Sequence, residues 1–236
     1  MAWHLTTFEQ DADLCQHLAA SIAASLTAAI AVRGSATLAV SGGNTPVPLF
    51  KVLSGCALQW SAVTVTLVDE RWLAPEHPDA NAGLVQQHLL QGSAAAARFL
   101  PLYIDGVTAS AAQPEVDRRL ATLAWPLDVV VLGMGGDGHT ASLFPGSATL
   151  QSALDGLDSH GRQSRCCAVT PVAARHERMT LTLPAILDSE SLFLHTRGSD
   201  KRRVLEQAMQ PGPVNDLPVR AVLHSAANLQ LFCSNN

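Results

Sequence analysis

The chain alternates short, almost unbroken apolar runs with longer segments of helical period. "ATLAVS", "AVTVTLVDE", "RFLPLYI" and "LDVVVLGM" read as strands, as do "RCCAVT", "RMTLTL" and the final "NLQLFC". Between them, "PVPLFKVL", "AGLVQQHLL", "PEVDRRLATLA" and "SDKRRVLEQAM" read as helices. Thr6 to Glu9 has capping-box spacing and predicts a helix running on to about Arg33, stopped by Gly34. Pro46 suits the first turn of its helix, and "PEVDRR" places a proline at a helix start. Strands apolar on both faces, alternating with helices, predict an α/β fold. Its Rossmann-like, mainly parallel sheet would carry helices on both faces. With no internal repeat and no clear linker, residues 1–236 read as a single α/β domain.

In such sheets ligands bind beyond the carboxyl ends of the strands. Three chemistry-bearing stretches follow strands directly: "SGGNTP", "DERW" and "GMGGDGH". The last satisfies G-x-G-x-x-G at Gly133, Gly135 and Gly138. A dinucleotide fingerprint would open a long helix there, but "HTASLFPG" leaves room for about one turn before Pro145. Four glycines in six residues exceed what a structural turn needs, so the backbone is open to close approach. Asp137 and His139 stand two apart in it, the pattern of a base and the carboxylate that orients it. The plain alternative is a solvated loop histidine beside a turn-forming aspartate.

Ser41, Gly42, Gly43, Asn44 and Thr45 make a small-residue turn into a helix, where exposed N–H groups can hold a phosphate. The turn lacks the lysine of a Walker loop, which argues against a nucleoside triphosphate. Asp69, Glu70 and Arg71 end a strand, and the arginine is suited to bidentate phosphate contact. Arg178 starts a strand. Lys201 lies in the first turn of a helix, where a cation opposes the macrodipole unless an anion is near.

Composition narrows the classes. Apolar residues are 47% and charged residues 15%, which describes a folded domain. A net charge of -5 argues against nucleic acid as a partner. Five cysteines without a C-x-x-C pair suggest neither a disulfide framework nor a zinc ribbon. No metal-ligand cluster is visible, and the histidines other than His139 read as ordinary. The start of the chain lacks a secretory pattern. "LAASIAASLTAAIAV" reads as one side of a buried helix, so a cytoplasmic protein without membrane association is expected.

Six ordered blocks, "LAVSGGNTPVPLF", "VTLVDERW", "NAGLVQQHLL", "DVVVLGMGGDGHTASLFPG", "RMTLTLPAIL" and "GSDKRRVLEQA", together resemble the glucosamine-6-phosphate isomerase/6-phosphogluconolactonase family. The resemblance implies a sugar-phosphate substrate; no cofactor, no metal, and either a monomer or a small homo-oligomer are expected. On its lactonase side it implies hydrolysis of 6-phospho-D-glucono-1,5-lactone to 6-phospho-D-gluconate in the oxidative pentose phosphate pathway. The alternatives are a deaminase/isomerase-like enzyme or a non-catalytic sugar-phosphate sensor. The deaminases continue the D-G-H loop into a segment bearing a glutamate. Here that stretch, "TASLFPG", has no acid, and "DER" replaces their usual "DEY" or "DEW". The resemblance gives His139 the role of activating water and passing protons, with Asp137 beside it either orienting the imidazole or binding a hydroxyl. It places substrate and phosphate at Ser41, Gly42, Gly43, Asn44, Thr45, Asp69, Arg71, Gly135, Gly136, Arg178 and Lys201. Arg175 is an alternative to Arg178. The glycine loop is expected to offer N–H donors to an oxyanion.

Overall fold

The computed structural model describes residues 3–158, 160–171 and 175–235. Its strands are β1 (His4–Phe8), β2 (Ala36–Val40), β3 (Val63–Leu67), β4 (Asp69–Arg71), β5 (Arg98–Leu100), β6 (Leu127–Leu132), β7 (Cys166–Val169), β8 (Arg178–Leu181), β9 (Ser189–Arg197) and β10 (Leu229–Ser234). Its helices are α1 (Asp11–Arg33), α2 (Val47–Ser54), α3 (Asn81–His88), α4 (Ala109–Leu120), α5 (Leu150–Asp155), α6 (Leu183–Leu187), α7 (Ser199–Met209) and α8 (Val219–Ser225).

Seven strands form one sheet in the order β1-β10-β9-β6-β2-β3-β5, with every neighbouring pair parallel. β2 and β6 are buried along their whole length, as their continuous apolar sequences require. From β2 the chain winds outward through β3 and β5, then returns to β6 and winds the other way. The switch point therefore lies between β2 and β6, where doubly wound sheets open a crevice. Buried Asp128 joins the amino ends of these strands. It accepts from the Thr37 backbone at 2.8 Å and pairs with Arg33.

α1 has the length and composition to cross a membrane. Here Leu14, Leu18, Ile22 and Leu26, one turn apart each, are fully buried in the core. Burial of each such side chain is worth about 1.5–3 kcal/mol. Gly34 ends the helix in a left-handed conformation and donates to Ile30 at 2.8 Å, as the sequence predicts.

Several expectations are corrected. Thr6 to Glu9 is not a capping box: Thr6 lies in β1, an edge strand paired to β10, and the helix begins only at Asp11 with no side-chain cap. Pro114 is not at a helix start. α4 begins five residues earlier, where Thr108 Oγ1 accepts from the Ala111 N–H at 3.3 Å. The ring is tolerated because Ser110, whose carbonyl loses its partner, is exposed. β9, nine residues long and central, answers to "SESLFLHTR", a stretch the pattern left unassigned. β7 and β8 do not join the main sheet: β8 pairs antiparallel with β4 on one side and β7 on the other in a small second one.

Candidate active site

The stretches after β2 and β6 meet at the switch point. Ser41 Oγ accepts from the Gly133 N–H at 3.2 Å, and Thr140 Oγ1 donates to the Gly133 carbonyl at 2.8 Å. These bonds fix the glycine loop against the turn from Ser41 to Thr45. Between them opens a cleft of about 200 Å³. It is smaller than the ~300–1,000 Å³ pockets of drug-sized ligands. Ser41, Gly42, Gly43, Asn44, Thr45, Asp69, Arg71, Gly135, His139 and Lys201, all singled out in the sequence, line it.

His139 meets its carboxylate. Nδ1 lies 2.5 Å from Asp137 Oδ1, and the same oxygen accepts the His139 backbone N–H at 3.2 Å. The imidazole bond holds the Asp137 carboxyl below the usual carboxylate range. An ionised Asp137 accepts a proton-bearing Nδ1, which leaves the Nε2 lone pair to act as a base. Asp137 itself is half-exposed and stands behind His139, outside the cleft lining. Gly135 is required for this arrangement: a Cβ there would fall 2.2 Å from His139 Cε1.

Directly after His139 no helix forms. A turn from Thr140 to Leu143 follows, with Ala141 at φ 51°. Without a helix start there is no seat for a pyrophosphate, so the glycine motif is not a dinucleotide site. The N–H groups of Gly135 and Gly138 are also committed within the loop, to the His139 and Gly135 carbonyls at 2.8 and 3.1 Å. Those two N–H groups are therefore not free to serve an oxyanion. Gly136 does not line the cleft.

The anion end is better furnished. Among the described residues, no protein acceptor takes the N–H groups of Gly42, Gly43, Asn44 and Thr45. Lys201 Nζ lies 3.2 Å from Thr45 Oγ1. Burial, with Arg197 second, pushes the Lys201 ammonium below its usual range. A desolvated cation beside unpaired N–H groups is an arrangement suited to an anion. Arg71 is held by a 2.6 Å bond to the Asp79 carbonyl.

Arg178 stands directly across the β4–β8 ladder from Arg71. Like charges at paired positions repel unless an anion lies nearby. Arg178 does not line the cleft; its guanidinium lies 5.9 Å from the Phe144 ring, which in turn packs 4.5 Å from His139. Its Nε is buried without a partner, and burial lowers its pKa. Arg175, the alternative, is exposed.

Two contributors were not picked out from sequence. Asn81, the first residue of α3, is 1% exposed and lines the cleft; its Nδ2 donates to the Asp69 carbonyl at 2.8 Å and its Oδ1 has no partner. Its side chain packs on Gly42 so closely that a Cβ there would sit 1.9 Å from Oδ1. Ser142 donates to Asp69 Oδ2 at 2.7 Å and fixes that carboxylate in the wall. The signal for Asn81 was its place at a helix start, which reads equally as an ordinary cap. Glu70, next to Asp69, faces inward and caps α3. It accepts from Arg71, Asn81 and Ala82 backbone N–H groups, each at 2.7 Å. Burial raises its pKa to about 7 against the pull of those donors.

A larger groove of about 580 Å³ shares Asn44 and runs past Pro75, His77 and Gln87. It is lined by neither the His139–Asp137 pair nor Lys201, so the smaller cleft is the chemical one.

The family described as glucosamine-6-phosphate isomerases/6-phosphogluconolactonase matches residues 9–231. The chain belongs to this family. It is 46% identical to a 6-phosphogluconolactonase of Rhizobium meliloti (strain 1021), over 98% of this chain and 99% of that one. It is 42% identical to the 6-phosphogluconolactonase of Neisseria meningitidis serogroup B, over 98% of this chain and 97% of that one. The crystal structure of a 6-phosphogluconolactonase from Shewanella baltica superposes with a TM-score of 0.94 at 41% identity, covering 99% and 98% of the two chains. A monomeric glucosamine-6-phosphate deaminase shares the fold at 18% identity, with a TM-score of 0.78 and coverage of 98% and 97%.

Proposed function

We propose that this chain hydrolyses 6-phospho-D-glucono-1,5-lactone to 6-phospho-D-gluconate, the lactone-opening step of the oxidative pentose phosphate pathway, as a cytoplasmic enzyme. The observation that carries the reading is the meeting of two sites in one cleft. An imidazole held at 2.5 Å by a carboxylate faces the same small cavity as a turn of unpaired N–H groups with a lysine beside it.

The phosphate sits on the turn from Gly42 to Thr45, with Lys201 and Arg71 matching its charge. The sugar ring then lies between Asp69 and His139, and Asp69 accepts a ring hydroxyl. His139 Nε2 takes a proton from water as the water oxygen attacks C1. The tetrahedral centre collapses, the bond from C1 to the ring oxygen breaks, and the same proton passes to that oxygen, which becomes a hydroxyl. Asp137 holds the tautomer and stabilises the transient imidazolium. Arg178 acts through Phe144 and supports the cationic end.

The deaminase reading is disfavoured by the stretch from Thr140 to Gly146, which has no carboxylate to manage the histidine during ring opening. A sensor that only binds phosphate has no need of the Asp137–His139 pair. The test is lactone consumption by the pure protein against the spontaneous rate, with 6-phosphogluconolactone and unphosphorylated gluconolactone compared. The phosphorylated lactone should be preferred by at least about ten- to a hundredfold in kcat/KM, since the loss of even one charged hydrogen bond is worth that much. Equal efficiency would remove the anion site, and ammonia release from glucosamine 6-phosphate would favour the deaminase.

A further inference from the structure

We infer that Asp11, Cys15 and His195 form a binding site for a zinc-class divalent cation, separate from the hydrolytic cleft. Asp11 opens α1, and Cys15 follows one turn later on the same face. β9 delivers His195 to them from the sheet. One ligand atom of each lies within 4.8 Å of the others.

His195 is the observation that calls for a ligand. It is 2% exposed, and neither ring nitrogen has a hydrogen-bond partner. Buried polar atoms are nearly always satisfied, and a doubly orphaned imidazole inside a well-packed core is an exception that demands a cause. Its Nε2 lies 4.0 Å from Asp11 Oδ1, too far for a hydrogen bond. Ligands sharing a tetrahedral zinc lie about 3.3–3.6 Å apart, given bonds of ~2.0–2.3 Å. The three ligand atoms, now within 4.8 Å of one another, must draw together by up to about an ångström to share the ion. Burial holds the imidazole neutral, with its pKa near 4, and the neutral form is the one that ligates.

The surroundings fit an ion and select its type. A nitrogen, a sulfur and a carboxylate oxygen suit zinc and its neighbours and are wrong for magnesium or calcium, which take oxygen alone. Ser234 Oγ and Arg197 bond the Asp11 carboxylate, each at 3.2 Å, and orient it from behind. Asp11 is partly exposed, which leaves a way in. Arg197 and Lys201 both oppose positive charge at His195. A dication is therefore held only if Cys15 gives up its proton, since thiolate and carboxylate together cancel its charge. Burial first and the Asp11 carboxylate second push that thiol up to about 11, so the Cys15 proton is the one zinc must displace.

The full chain, stripped of metal, is titrated with Co²⁺, whose spectrum reports thiolate ligation and tetrahedral geometry. The expected result is one equivalent bound with a thiolate-to-cobalt charge-transfer band, displaced by Zn²⁺. Cys15→Ser should abolish the band, and His195→Gln should weaken binding by about tenfold or more. Cys56→Ala, which removes the partly exposed thiol, should leave both unchanged. A wild-type titration without the charge-transfer band overturns the site, whatever the variants do. So does a band that survives Cys15→Ser or disappears in Cys56→Ala.

Discussion

Lys201 Nζ reaches Thr45 Oγ1 at 3.2 Å, joining the start of α7 to the turn before α2 across 156 positions of sequence. A lysine in a helix's first turn opposes the macrodipole, and burial makes it costlier still. Both costs are offset when a phosphate lies between the ammonium and the N–H groups of the turn. Lys201→Ala should therefore raise KM by about ten- to a hundredfold with little change in kcat. Inorganic phosphate should compete with substrate in the unaltered chain and lose most of that competition in the variant. Steady-state kinetics with phosphate as inhibitor checks both.

Gly135→Ala places a methyl group where His139 now packs, 2.2 Å from Cε1. The imidazole must rotate away from Asp137, and catalysis should fall by about 10²-fold or more, as misplacement of a reacting group does. The chain should remain folded, because the displaced ring is partly exposed. A circular dichroism spectrum like that of the unaltered protein, beside the lost activity, is the expected pair of results.

Asp137→Asn keeps the shape of the pair and removes its charge. The amide can present its NH₂ to Nδ1 and stabilise the wrong tautomer, with the proton on Nε2. The half-exposed site lets water compensate in part, so kcat should drop by about ten- to a hundredfold, less than for a fully buried orienting carboxylate. KM should stay nearly constant.

Glu70 gives a pH prediction for stability. Its folded pKa, about 7, lies above its ordinary value of 4.5, so between these limits the folded state binds more protons than the unfolded. Stability from this group is present below about pH 4.5 and is lost as pH rises toward 7. Glu70→Gln should flatten that part of the stability curve, measured by urea unfolding at stepped pH. It should also cost about 1–3 kcal/mol overall, because one of three N–H donors then faces an NH₂ group.

Much of this was legible in the chain. Buried parallel strands announce themselves as apolar runs, and "LDVVVLGM" and "ATLAVS" fall on β6 and β2. The loops at their carboxyl ends follow from that placement, because the switch-point rule depends only on strand order. What stayed hidden depends on distant partners. The "HLTTF" strand exists because β10 lies beside it, more than two hundred residues away, and locally its Thr6, with Glu9 just beyond the strand, imitates a helix cap. β4 is three residues long and is defined by β8. Asn81 reaches the cleft because Gly42 leaves space for it, a fit no spacing reveals. Asp11 and Cys15 approach His195 only through the packing of α1 on the sheet, so the histidine read as ordinary.

His139→Ala tests whether this imidazole activates the water that opens the lactone. The expected result is a kcat lowered by about 10²–10⁴, the range for a lost general base, with KM nearly unchanged because the phosphate is held elsewhere. A variant that keeps close to the full kcat would contradict it.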